Sequence, residues 1–249
     1  MNIPPLDRTG PLFGRVAVVT GASSGIGRAI TLALSKEGVE VCAVARNRQT
    51  LDETVARARQ YSPATGFQID LTHDKAIRPV MEHLQKKSGG LDILVHSAGV
   101  YHQDLMEHSR IEDFDAQYAT NLRAPYLLTQ SLLPMLAQSK GQIIFVNSSA
   151  GLTAKRPAIG QYSATKHALR AIADSLREEL NPKGIRVLSL YLGRTATPMQ
   201  EALYQKEAKE YHPETLIQPD DVAFVAIQML KVSGTAEVTD ISIRPMRKS

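Results

Sequence analysis

The sequence predicts an α/β fold: one doubly wound, mostly parallel sheet of seven strands with helices on both faces. Three observations predict it. Apolar, β-branched runs alternate with helical patterns almost from end to end, the order that yields a parallel sheet joined by right-handed crossovers. Runs such as VAVV (16–19) and IIFV (143–146) are nearly continuous in apolar residues, as strands buried on both faces require. No repeat, low-complexity tract or linker divides the 249 residues, so a single domain over 15–249 is expected after a loose lead-in, residues 1–14.

The elements follow in order. RVAVVT (15–20) is a β-branched strand; GASSGIG turns into a helix that Gly38 closes. VEVCAVAR (39–46) is the second strand, LDETVARARQ (51–60) a helix and ATGFQID (64–70) the third strand. A helix from about 74 to 87 leads to the strand LDILVHSAG (91–99). A long helix over 113–138 contains Pro125 and Pro134, which are expected to kink or end it. GQIIFVNSS (141–149) is the fifth strand. The helix over 160–180 has Leu169, Ile172, Ala173, Leu176 and Leu180 on its apolar face, with Arg170, Arg177, Glu178 and Glu179 mainly opposite. IRVLSLYLG (185–193), the helix PDDVAFVAIQML (219–230) and EVTDISIRP (237–245) complete the pattern.

The composition, 43% hydrophobic and 22% charged, is that of an ordinary globular domain. A net charge of +4, without a long basic run or interleaved aromatics, gives no indication of nucleic-acid binding. The single cysteine, Cys42, lies in an apolar run, as a core residue in a reducing cytoplasm would. The first residues lack the apolar core of a signal peptide, and no stretch is apolar enough to span a membrane. No metal site is assigned.

Three features carry chemistry. Gly21, Ser23, Ser24, Gly25, Ile26 and Gly27 join the first strand to the first helix, where glycines and a helix N-terminus suit a diphosphate. A glycine turn also serves packing alone, but the strand before and helix after favour nucleotide binding. The second strand ends at Arg46 with no carboxylate for the ribose hydroxyls of NAD. A guanidinium there suits a ribose phosphate, so NADP is favoured over NAD, unless Arg46 and Arg48 are only exposed loop cations. Tyr162 and Lys166, four residues apart, share one helix face. An ammonium beside a phenol lowers its pKa and fits it for proton transfer, although the same spacing also arises as a surface contact.

With TGASSGIG, Asp70-Leu71, HSAG, Asn121, Ser148-Ser149, YSATK and LGRTATPM in that order, the chain resembles the short-chain dehydrogenase/reductases over residues 14–245. The resemblance implies a Rossmann-type fold and an NADP-dependent oxidoreductase that interconverts a carbonyl and a secondary alcohol. It implies that Tyr162 is the acid/base and that Lys166 lowers its pKa and holds the nicotinamide ribose. Ser149, thirteen residues before Tyr162, would hold the substrate oxygen, with Ser148 the weaker candidate. Asn121 would position a water in a relay to Lys166. Asp70 and Leu71 would meet adenine, Ala98 and Gly99 would line the cofactor, Thr197 would contact its nicotinamide carboxamide or diphosphate, and Gly193 and Thr195 would also bind it.

The chain departs from the family where His96-Ser97 replaces two asparagines, where Leu192 replaces a proline, and at a C-terminal strand poor in glycine. His96 is expected to be structural. The last departure weakens transfer of the family's tetramer, leaving a homodimer or homotetramer. The partner is a small carbonyl or alcohol, seated between Ser149–Tyr162 and the segment 199–216. That segment is read as an amphipathic lid with a solvated face, in preference to a site where Arg194, Lys155 or Arg156 meets an acidic substrate. Short hydroxy acids and acyl thioesters rank equally. The alternative from another class is a catalytically silent NADP-binding regulator; a longer-branch epimerase is disfavoured by length.

Overall fold

The computed structural model describes residues 9–87 and 90–247; the first part of the expected lead-in lies outside them. Seven strands form one sheet in the order β3-β2-β1-β4-β5-β6-β7, with every neighbouring pair parallel. They are β1 (Val16–Thr20), β2 (Glu40–Ala45), β3 (Ala64–Gln68), β4 (Ile93–His96), β5 (Gln142–Ser148), β6 (Arg186–Leu192) and β7 (Asp240–Ile243). The helices are α1 (Gly25–Lys36), α2 (Arg48–Ala58), α3 (Arg78–Lys87), α4 (Ile111–Tyr118), α5 (Ala124–Ser139), α6 (Gly160–Leu180), α7 (Pro198–Lys206) and α8 (Pro219–Leu230). Two apolar cores, one on each face, bury alternate residues of the central strands: Ala17 and Val19 on one side, Val18 and Leu94 on the other. Strand order reverses between β1 and β4, so a crevice opens at their carboxyl ends, where such folds bind ligands.

Local chemistry fixes the ends of the elements. Gly38, at φ +77°, ends α1, and Phe13 packs where its side chain would stand. Leu12 is buried in the core, so residues 9–14 are seated against the domain. Asn47 caps α2 by accepting from the Thr50 amide at 3.0 Å. The expected helix from 74 begins only at Arg78. The Asp70 carboxylate draws the chain into a turn through Thr72, and Pro79, whose nitrogen has no hydrogen, suits a first helical turn.

Two further expectations change. The helix around Pro125 neither ends nor breaks: α4 runs through a π-turn (Ala119–Arg123) into α5, with Pro125 in the first turn of α5 and Pro134 tolerated inside it. Arg177 is buried on α6, not on the solvent face. Its guanidinium donates to the carbonyls of Val187 (3.1 Å) and Thr239 (3.2 Å) and pairs with Asp174, tying α6 to the edge of the sheet. Five donors on one planar group let a buried charge be satisfied in this way. Among the described residues no helix is long and apolar enough to cross a membrane, and no cluster of metal-ligating side chains occurs.

Candidate active site

The turn after β1 is shaped by close approach. Gly21 (φ +66°) lies so near Ala98 that a β-carbon would stand 2.9 Å from its backbone, and one on Gly27 would reach the Gly21 carbonyl at 2.3 Å. Glycine is therefore demanded here by the packing of β1 and α1 against the β4 loop. The electrostatics are separate from the packing. Ser24 precedes α1 in extended conformation, its side chain makes no cap hydrogen bond, and the first turn carries no acidic residue. The helix N-terminus thus presents its positive end to a crevice of about 280 Å³.

Ser23, Ser24, Ile26, Arg46, Asp70, Leu71, Ala98, Gly99 and Thr197 line that crevice with the three glycines. Arg46 is exposed at the end of β2, whereas Arg48 is held by Asp52 at 2.7 Å. Asp70 accepts from the Thr72 amide (3.0 Å) and hydroxyl (2.8 Å), which hold its carboxyl below the usual range. The uncapped helix end and the exposed guanidinium fit an anionic dinucleotide.

A second cavity of about 300 Å³ continues from the first, sharing Ile26, Ala98, Gly99, Thr197 and Met199. Tyr162, Lys166, Ser148, Ser149, Gly193 and Thr195 line it. Tyr162 and Lys166 enter from the first turns of α6, one turn apart on its buried side. Ser148 ends β5, its hydroxyl accepts from the Ala150 amide at 3.2 Å, and it lies near enough to Tyr162 to draw the phenol's pKa down. Ser149 instead opens a 3₁₀ turn (Ser149–Gly151), where its carbonyl accepts from Leu152 and Thr153. Counting back thirteen residues from Tyr162 selects Ser149, and the loop between them contains a left-handed Ala158 (φ +65°). Both serines line the cavity with Tyr162.

Burial pushes the Tyr162 phenol up to about 12; Ser148 draws it down and Tyr101 adds to the rise. Burial brings Lys166 down to about 8. The Lys166 ammonium donates to the Val146 carbonyl at 3.1 Å and lies 5.7 Å from the centre of the Tyr162 ring. Tyr101 packs edge-on against Tyr162 at 4.6 Å, a contact that the sequence pattern did not flag.

Asn121 lies in the π-turn and is buried. Its side-chain oxygen accepts from the Val100 amide at 2.8 Å, and its nitrogen donates to the Val100 carbonyl at 2.9 Å and to Thr165 at 3.3 Å. The side chain is thus committed to the loop after β4. Its carbonyl is different. Four residues on stands Pro125, which has no amide hydrogen, and the Ala124 amide goes back to Ala119. The α-helical donor for the Asn121 carbonyl is therefore missing.

The remaining predicted residues hold the loop after β6. The Gly193 amide donates to Ile243 at 2.8 Å, Thr195 bridges to Ile217, and Thr197 caps α7 through the Gln200 amide at 3.2 Å. His96 is structural: it hydrogen-bonds Thr129 at 2.8 Å, stacks on Phe145, and burial lowers its pKa to about 3.

Comparison with known proteins places this geometry. Residues 15–208 match the family model described as short chain dehydrogenase. The chain is 32% identical over 239 residues to an uncharacterized oxidoreductase of Staphylococcus saprophyticus, covering 94% of this chain and 99% of the relative. Among solved structures, a metagenomic short-chain oxidoreductase in complex with NADP is 29% identical, with a TM-score of 0.80 over 94% of this chain and 99% of that one. A 3-ketoacyl-(acyl-carrier-protein) reductase from Brucella melitensis, complexed with NADH, is 25% identical, with a TM-score of 0.80 over 94% and 98%. On this match and this fold, the chain belongs to the short-chain dehydrogenase family of oxidoreductases.

Proposed function

We propose that the protein reduces a ketone or aldehyde to an alcohol with NADPH, and runs the reverse reaction at alkaline pH. One observation carries this reading: Tyr162, Ser148 and Lys166 converge on a cavity continuous with the crevice above the glycine turn. The nicotinamide, when bound, supplies the hydride. Tyr162 and Ser148 hydrogen-bond the carbonyl oxygen and stabilise the negative charge that develops on it. A phenol with a pKa of about 12 keeps its proton at neutral pH, which suits it to donate that proton. Lys166, at about 8, is charged at neutral pH and close to exchange, so it can refill the phenol. The Asn121 carbonyl, lacking its helical donor, is the acceptor for a water that leads the relay outward. Its side chain positions the β4 loop.

For the cofactor, the α1 N-terminus takes the diphosphate, Asp70 and Leu71 border the adenine end, and Gly193, Thr195 and Thr197 border the nicotinamide end. NADP is preferred because Arg46 stands where β2 ends and no carboxylate does. The test is a panel of carbonyls and alcohols with both cofactors, read at the nicotinamide absorbance. Consumption of NADPH that Tyr162→Phe abolishes is the expected result. A silent binder would retain NADPH affinity and give no Tyr162-dependent turnover.

A further inference from the structure

The cavity beside Tyr162 is lined by Lys155, Arg156 and Arg194 in addition to Lys166, and by no carboxylate among its described residues. The counter-charge stands behind the wall. Glu207, 12% exposed, meets Lys209 at 2.7 Å, Gln103 at 3.1 Å, Arg194 at 3.6 Å and Arg156 at 3.8 Å. One carboxylate therefore faces three cations, and its short contacts go to Lys209 and Gln103. Arg194 is largely buried, 15% exposed, and receives only a long share of that charge, together with the face of Tyr204 at 5.0 Å. A guanidinium withdrawn from water and incompletely paired is an anion site, because a planar fork of donors matches a carboxylate or phosphate.

A second observation points the same way. Gln200, on the first turn of α7, lines the same cavity, and its side-chain nitrogen is buried without a hydrogen-bond partner. Rotation about its terminal bond, a soft torsion, turns that donor toward the cavity. The rest of the lining includes the apolar Ile26, Val100, Ile159, Leu192 and Leu203.

We infer that the substrate is a carbonyl compound carrying an anionic group away from the reacting carbon, with Arg194 and Gln200 as the residues that select it and Arg156 at the entrance. This rests on the carbonyl-reductase reading above, and its test is separable from it. The Tyr162→Phe protein loaded with NADPH is titrated calorimetrically with 4-oxopentanoate, with its methyl ester, and with hydroxyacetone phosphate. The acids are expected to bind at least about 10-fold more tightly than the ester, and the order of the two acids distinguishes carboxylate from phosphate. Arg194→Met is expected to reduce that preference by about 10- to 100-fold, Arg194→Lys to restore part of it, and Gln200→Met to lower it less. Gln200→Met also covers the case in which Arg194→Met fails to fold. Equal affinity for ester and acids, or a preference that none of these variants changes, overturns the inference. Tyr162-independent or absent NADPH consumption by the wild type overturns the reductase reading and leaves the binding result standing.

Discussion

The Lys166 ammonium stands 5.7 Å from the centre of the Tyr162 ring and donates to the Val146 carbonyl instead of the phenol. Both groups are withdrawn from water, so each is held toward its neutral form: the phenol at about 12 and the lysine at about 8. Reduction is then expected to fall as pH rises through about 8, where Lys166 loses the proton it passes on, while Tyr162 remains protonated. The pH profile of kcat for reduction checks this. A rate that stays flat to pH 10 would remove Lys166 from the relay.

The same shift makes Lys166 a cost to the fold. Its native pKa lies below the unfolded value of 10.5, so the unfolded chain binds more protons between about pH 8 and 10.5, and stability rises with pH across that window. The penalty is full below about pH 8. Lys166→Met is therefore expected to raise Tm at pH 7 while lowering turnover, and the gain should shrink by pH 10. Thermal unfolding at the two pH values checks the sign.

Ser148, which lines the cavity and draws the Tyr162 phenol down, is expected to carry the contact to the substrate oxygen. Ser148→Ala should lower kcat by about 10²- to 10³-fold, as loss of one donor to a developing oxyanion does. Ser149→Ala, in the adjoining turn, should change it only a few-fold. Steady-state kinetics of the two variants decide between the hydroxyls.

Most of the architecture was legible because the strands are short apolar runs and α6 repeats its apolar residues at helical spacing over its whole length, 160–180. The glycine turn was legible for the same reason, since a strand before it and a helix after it are visible in one dimension. Three things were not. Arg177 looks solvated on a helical wheel, but the carbonyls that bury it belong to β6 and the segment before β7. How the two adjacent serines are presented to Tyr162 depends on the fold of the loop between them, and spacing does not encode that. The state of the Tyr162–Lys166 pair depends on burial and on Val146, a backbone acceptor with no sequence signature.

Arg46 stands exposed on the crevice wall at the end of β2. If it receives the 2′-phosphate, Arg46→Asp removes a charge-assisted contact and places a carboxylate where the ribose hydroxyls of NAD would be. The NADP-to-NAD ratio of kcat/KM is expected to fall about 100-fold or more. An unmoved ratio would sink the assignment.

Asn121 separates a structural from a catalytic contribution within one residue. Its side chain satisfies both the amide and the carbonyl of Val100, so Asn121→Leu should destabilise the fold by about 1–3 kcal/mol by leaving those groups unpaired. Its carbonyl lacks the α-helical donor because residue 125 is proline. Pro125→Ala returns an amide to that carbonyl, which favours regular helix and removes the water's acceptor. Turnover should then drop about 10-fold or more, the lower end of what a positioned proton path contributes, with Tm unchanged or higher. A fall in Tm alongside activity would make Pro125 structural, whereas lost activity in a protein at least as stable would be what a relay through the backbone of residue 121 requires.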